Sequence, residues 1–254
     1  MSSWARGACA CAAAGAWLAC SQANDGTSGT DASDLVTISF PNGALSFDGV
    51  GDFVTTGTAN FPRASEPQTI SLWVLYSTAA GTQTIIDLRM DFVSGVEMGL
   101  RSGKLGVWTQ LPDTLLLEAP TLPVAGTWHH VAYVFDGKGT SSFFVDGAAV
   151  ATSSVMPNDR SPSSSWIGSR DGLTAFFAGT IDDVRIWNVA RSSDDIAREI
   201  AGTVTATEPG LVAYFDCDAI IGTRLPDVSN HGNDGTLGGG DPKYEPTLVA
   251  STVP

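Results

Sequence analysis

From Leu35 onward, apolar and polar residues alternate in short runs of period two, and Gly, Pro, Asp or Asn closes each run. The pattern predicts strands at Val36–Phe40, Ala44–Phe47, Phe53–Thr56, Thr69–Tyr76, Gln83–Leu88, Val96–Arg101 and Lys104–Thr109. It continues at Trp128–Phe135, Ser141–Val145, Ala148–Thr152, Ser165–Ile167, Thr180–Asn188 and Leu211–Asp216. Asp-Gly pairs after Phe47, Phe135 and Val145 mark turns, where Gly takes positive φ without a Cβ clash. One segment has helical spacing instead. Ser192 caps it, Asp194 and Asp195 fill its first turn, Ile196 and Ile200 share a face, and Gly202 stops it. So many short strands with one helix predict an all-β fold: an antiparallel β-sandwich (jelly roll) with one short surface helix.

Two strands carry more detail. In Trp128–Phe135 both faces are largely apolar, which predicts a central strand. In Ile181–Trp187 strict alternation puts Asp182 with Val184 and Ile186, and Asp183 with Arg185 and Trp187.

The first residues follow a different rule. Arg6 is the only charge in residues 1–19, and Ala8–Ala19 is a run of small and apolar residues, shorter than the roughly 20 a bilayer-spanning helix needs. This reads as a secretory signal. Its end, Ala16-Trp17-Leu18-Ala19-Cys20, resembles a bacterial lipoprotein cleavage site. The resemblance implies cleavage before Cys20 and lipidation of Cys20. Trp17 stands where that pattern usually has Leu, which keeps plain secretion open as an alternative. Ser21, rather than Asp, favours the outer membrane. Residues 20–35 are rich in Ser, Gly, Thr and Asp and predict a flexible tether, leaving 36–254 as the folded domain. With Cys9 and Cys11 in the signal, only Cys20 and Cys217 remain, so no disulfide framework is expected.

Composition narrows the partners. Lys and Arg total 13 against 27 Asp and Glu, a net charge of −14, with 43% hydrophobic and 16% charged residues. A disordered chain would be less apolar, and a nucleic-acid binder would cluster its basic residues. Acidity suits a surface protein or one that holds calcium.

Five segments resemble, in order, the laminin-G-like jelly rolls of the concanavalin A-like lectin/glucanase superfamily. They are Ala44-Leu45-Ser46-Phe47-Asp48-Gly49, Thr69-Ile70-Ser71-Leu72-Trp73-Val74, Thr127-Trp128-His129-His130-Val131-Ala132 with Phe144-Val145-Asp146-Gly147, Phe177–Asn188, and Gly210–Phe215. The resemblance spans about Ala44 to Leu237, and the tail segment Asp227–Leu237 is expected to complete the sandwich. The fold it implies hosts lectins, glycosidases and adhesive modules alike, and the expected function is a non-catalytic module that binds a glycan or a protein at the cell surface. A glycoside-active enzyme of the same superfamily and a purely structural envelope lipoprotein are the alternatives.

The residues favour binding. Glucanases of this superfamily carry Glu-x-Asp-x-Glu on one strand, whereas here no two of Glu66, Glu97, Glu118, Glu199, Glu208 and Glu245 lie closer than nine positions. Asp216-Cys217-Asp218 reads as a solvated strand end, and no catalytic residue is expected. His130 is expected to be a buried, hydrogen-bonded structural imidazole. Asp52 and Asp182 are the candidate ligands of one structural calcium ion, although Asp is equally at home in β-turns. Trp108 and Trp187 are the candidate sugar-stacking residues, with core packing the competing role for each.

Overall fold

The computed structural model describes residues 17–19, 36–90, 93–110 and 112–253. In chain order the strands begin with β1 (Trp17–Ala19), β2 (Thr37–Ser39), β3 (Gly43–Asp48), β4 (Val54–Thr56), β5 (Gln68–Tyr76), β6 (Thr82–Met90), β7 (Val93–Arg101), β8 (Lys104–Thr109) and β9 (Thr114–Glu118). There follow β10 (His129–Phe135), β11 (Ser141–Val145), β12 (Ala148–Ser153), β13 (Ser164–Ile167) and β14 (Ala178–Trp187), then the helix α1 (Ser193–Ile200). The last five strands are β15 (Leu211–Phe215), β16 (Ala219–Ile221), β17 (Arg224–Leu225), β18 (Gly235–Leu237) and β19 (Thr247–Ala250). They form two antiparallel sheets, the expected β-sandwich. One has the order β1-β2-β16-β17-β18-β4-β13-β6-β7-β8-β9; the other is β12-β11-β10-β5-β14-β3-β19, with β15 also on β14. Residues 17–19, expected to belong to the signal, instead pair as β1 with β2 at the edge of the first sheet, so the described sheet reaches outside the expected 36–254. The rest of the signal, Cys20 and the tether to 35 lie outside the described residues.

Each sheet turns one face into a common core. Ile70, Leu72, Val74 and Tyr76 of β5 meet Val131, Tyr133 and Phe135 of β10 there, with Val96, Met98 and Leu100 of β7. The apolar outer face of β10 also has a cause. Ala132 and Val134 pack with Phe144 against Ile196 and Ile200 of α1. That helix is fixed by a capping box: Asp195 N–H donates to Ser192 Oγ at 3.2 Å, and Ser192 N–H to Asp195 Oδ2 at 3.0 Å. The β11–β12 hairpin turns on Asp146 and Gly147, both at positive φ (50° and 81°), the conformation a two-residue hairpin demands and Asp-Gly provides.

Strict alternation fails in β14. Asp183 adopts φ 54°, and the register against β5 shifts between Asp182 and Arg185. The extra residue lets Ile181 and Val184 both face the core. Asp182 therefore pairs with Trp73 on the outer face and does not share a face with Val184 and Ile186. The C-terminal segment completes the sandwich as expected, β18 pairing β4 and β19 pairing β3. Sequence periodicity gave no sign of β9 or of the short strands β16 to β19.

Candidate functional site

Three loops meet at one end of the sandwich: Gly49–Phe53 after β3, residues 168–177 between β13 and β14, and residues 238–244 after β18. They enclose a cavity of about 760 Å³, within the usual range of ligand pockets. Thr55 and Trp166, paired in register across β4 and β13, belong to its wall on the outer sheet face. Phe53, Phe176 and Tyr244 add aromatic surface, the rings of Phe53 and Tyr244 stacking at 6.2 Å and 29°. Small residues keep these rings open. A Cβ on Gly51 would come within 2.8 Å of the Tyr244 ring, and one on Gly172 within 3.3 Å of both Phe53 and the Trp166 indole nitrogen.

The polar lining is anchored by its own backbone. Asp48 Oδ1 accepts from Val50 N–H (2.7 Å) and Gly51 N–H (3.0 Å), Asp171 Oδ1 from Leu173 N–H (3.1 Å), and Asp241 Oδ1 from Lys243 N–H (3.0 Å). Partial burial pushes the Asp48 carboxyl up, but backbone N–H groups from Val50, Gly51 and Asp52 outweigh it and hold it below the usual range. Lys243 reaches back over Tyr244, its Nζ 4.9 Å from the ring centroid.

From Trp166 a row of side chains crosses the same sheet face: Trp166 pairs with Asp87, Asp87 with Glu97, and Glu97 with Trp108. Reading one strand at a time cannot reveal this acid pair. Both carboxylates are engaged by arginine. Asp87 takes Arg89 at 2.8 Å, and Glu97, 1% exposed, accepts from Thr84 Oγ1 (2.7 Å), Arg101 (2.7 Å) and Arg170 (2.7 Å). Arg170 belongs to the pocket loop, and its backbone pairs with Thr174. The Arg170–Glu97 ion pair thus ties a wall of the pocket to the sheet.

The proposed sugar-stacking residues lie elsewhere. Trp187 is fully buried, with Val204 and Leu211 around it and the Arg191 guanidinium 3.9 Å above its ring centroid. Trp108 is 7% exposed and lies under Arg101 at 4.3 Å. Neither offers a ring face to a ligand, because arginines already occupy that role. Asp52 and Asp182 are also separated. In the β3–β14 register Ala178 faces Asp48 and Ile181 faces Leu45, so Asp182 lies about 13 Å along the strand from Asp48, to whose N–H Asp52 is bonded. The pair does not fit a shared calcium ion, and among the described residues no group of three or more His, Cys, Asp and Glu is placed to hold a metal.

His130 is buried as expected, but neither ring nitrogen has a hydrogen-bond partner; burial, with Arg185 nearby, lowers its pKa to about 3, so it is neutral. Asp218 is not a solvated strand end: it is half-buried and accepts from Gly43 N–H at 2.7 Å. The sequence did carry a signal for the pocket, namely aromatics beside glycines in loops: Trp166 before Gly168, Phe53 after Gly51 and Tyr244 after Gly238–Gly240.

Two antiparallel sheets packed face to face, with an aromatic pocket where their loops converge, define a lectin-like β-sandwich. More specifically, the chain belongs to the concanavalin A-like lectin/glucanases superfamily, whose laminin-G type family model matches residues 48–197. No curated protein sequence matches it. Among solved structures it is similar to a Bacteroides ovatus protein classed provisionally as carbohydrate-binding, with 15% identity, TM-score 0.63, and 87% of this chain and 69% of that one covered. It is also similar to domain 4 of an extracellular arabinanase from Geobacillus stearothermophilus, solved with arabinotriose (17%, TM-score 0.53, 64% and 79%). A third relative is the heptameric SAP-like pentraxin of Limulus polyphemus (15%, TM-score 0.52, 74% and 97%). At these identities the likeness is one of fold.

Proposed function

We propose that this chain is a non-catalytic glycan-binding module that takes its ligand in the pocket of Phe53, Trp166, Phe176 and Tyr244. The pocket carries the reading: the half-buried rings of Trp166, Phe176 and Tyr244, the last backed by buried Phe53, offer apolar faces for sugar rings, and fixed carboxylates around them accept hydroxyl hydrogen bonds. Carbohydrate-binding proteins among the structural relatives support it. Trp166→Ala and Tyr244→Ala should each weaken retention on an immobilised oligosaccharide panel roughly tenfold, since one aromatic contact is worth about 1–1.5 kcal/mol. Unchanged retention, with the fold intact by circular dichroism, would move the site elsewhere.

The pair Asp87 and Glu97, flanked by Trp166 and Trp108, favours the enzyme alternative. Against it, the Glu97 oxygens are buried beneath Thr84, Arg101 and Arg170, with no room for a glycosidic oxygen. The incubations with oligosaccharide should therefore release no reducing ends. Turnover that Glu97→Gln abolishes would replace the binding reading.

The module is proposed to be exported and held in the envelope through lipidated Cys20, with residues 20–35 as its tether and the glycan or a surface protein as partner. Support comes from the Ala16–Cys20 sequence. Radiolabelled palmitate should mark the full chain in cells, and Cys20→Ala should lose the label. Label persisting in the variant, or absent from the unaltered protein, refutes the anchor.

A further inference from the structure

We infer that the pocket selects uncharged saccharides and excludes those bearing carboxylates or sulfates. This rests on the glycan reading of the same pocket and adds the class of ligand. Among the described residues, the charged ones of the lining are Asp48, Asp171, Asp241 and Lys243, three acids against one base, with no Arg or His among them. Binding a carboxylated sugar calls for cations that converge on it, as paired guanidiniums do.

The arginines of this sheet face are committed elsewhere. Arg170, the nearest in sequence to the lining residues Asp171 and Gly172, spends its guanidinium on Glu97 through three bonds of 2.7 to 3.1 Å, and Arg101 is shared between Glu97 and Asp113. Lys243 stands over Tyr244 and within 3.3 Å of its hydroxyl, beside Asp241. The chain's net charge of −14 adds a field of the same sign.

What the pocket does offer is acceptors. Each of the three aspartates is fixed through Oδ1 by backbone N–H, and a carboxylate has about four lone-pair sites, so acceptor capacity remains for sugar hydroxyls. Neutral sugars bring hydroxyl donors to such groups and apolar C–H faces to the rings. A uronate brings a like charge to the same place, and juxtaposed like charges suppress the wrong partner.

The test is an array carrying neutral oligosaccharides beside the uronate form of each backbone: glucan with glucuronan, galactan with galacturonan, mannan with mannuronan. The full chain should bind neutral forms at least tenfold more tightly than their uronate counterparts. The gap should narrow in Asp171→Asn/Asp241→Asn, which keeps the side-chain shape and removes two charges. Uronates bound as tightly as neutral forms, with Trp166→Ala weakening both, would overturn the charge selection while the pocket itself stands. If no backbone binds in either form, the glycan reading falls and this inference with it.

Discussion

Glu97→Ala is expected to lower the unfolding free energy by about 3 kcal/mol, the low end of the range for breaking a buried ion pair from one side. The residue is 1% exposed and gathers a threonine hydroxyl and two guanidiniums on one carboxylate. Truncation removes the anion that Arg101 and Arg170 share, leaving Arg101 only its ion pair with exposed Asp113 and Arg170 without its bonded carboxylate. Their side chains are 16% and 23% exposed, so water recovers part of their solvation, which sets the estimate at the low end. Arg170→Met should cost less, because Glu97 keeps Arg101 and Thr84 and the remaining charges still pair. Urea titration of the three proteins checks this through the midpoint at constant m-value. A loss below about 1 kcal/mol for Glu97→Ala would mean the network is solvated in practice. A functional consequence follows from connectivity. Arg170 joins the 168–177 loop to β7, so both variants should also weaken sugar retention, although neither touches the rings of the pocket.

That network shows where one-dimensional reading ends. Asp87 and Glu97 lie ten positions apart on different strands, and the β6–β7 register that sets them side by side contains two irregularities. Nothing in the Glu spacing reports such a pairing, because period two describes one strand at a time. Lys104–Thr109 and Ser141–Val145 were legible to the residue, since polar turns flank a regular alternation at both ends. The helix was legible through its cap. β17 and β18 were not, being two and three residues long and held mainly by pairing with strands far away in sequence. Trp187 shows a different failure. Its strand pattern correctly placed it beside Arg185 on the outer face, but Arg191 and the 204–211 segment close over that face. Whether an outward aromatic meets solvent depends on what folds back on it, and in Trp166 the opposite outcome holds. The bulge at Asp183 is the subtlest case, because a single residue at positive φ moved Asp182 from one face of the sheet to the other.

That displaced aspartate makes a large contribution to the pH dependence of stability. Asp182 is 3% exposed. Burial raises its carboxyl to about 7, helped by repulsion from Asp183 and Asp218, while a hydrogen bond from Ser251 and one from backbone pull it back. In the unfolded chain the group returns to an ordinary aspartate value near 3.8. The folded state therefore binds the extra proton between about pH 4 and pH 7, and this group's contribution to stability falls as pH rises through that window. Up to about pH 6.5 it is opposed by His130, whose buried imidazole is neutral in the fold. From pH 5.5 to pH 8 the loss assigned to this one group is about 2 kcal/mol by linkage, or roughly 4–8 °C in Tm for a domain of this size. Asp216 and Asp218, also raised by burial, add to the same slope, whereas Asp48 and Asp195, which are lowered, act only in more acid solution. Asp182→Asn isolates the effect, since the amide carries no charge at any pH and keeps the side chain's shape. Its melting temperature should exceed that of the unaltered protein most at pH 8, and the gap should close as pH falls toward 4. An unchanged slope in the variant would place the titrating group elsewhere in the Asp216–Asp218 turn, leaving Asp182 ionised behind the C-terminal segment at neutral pH.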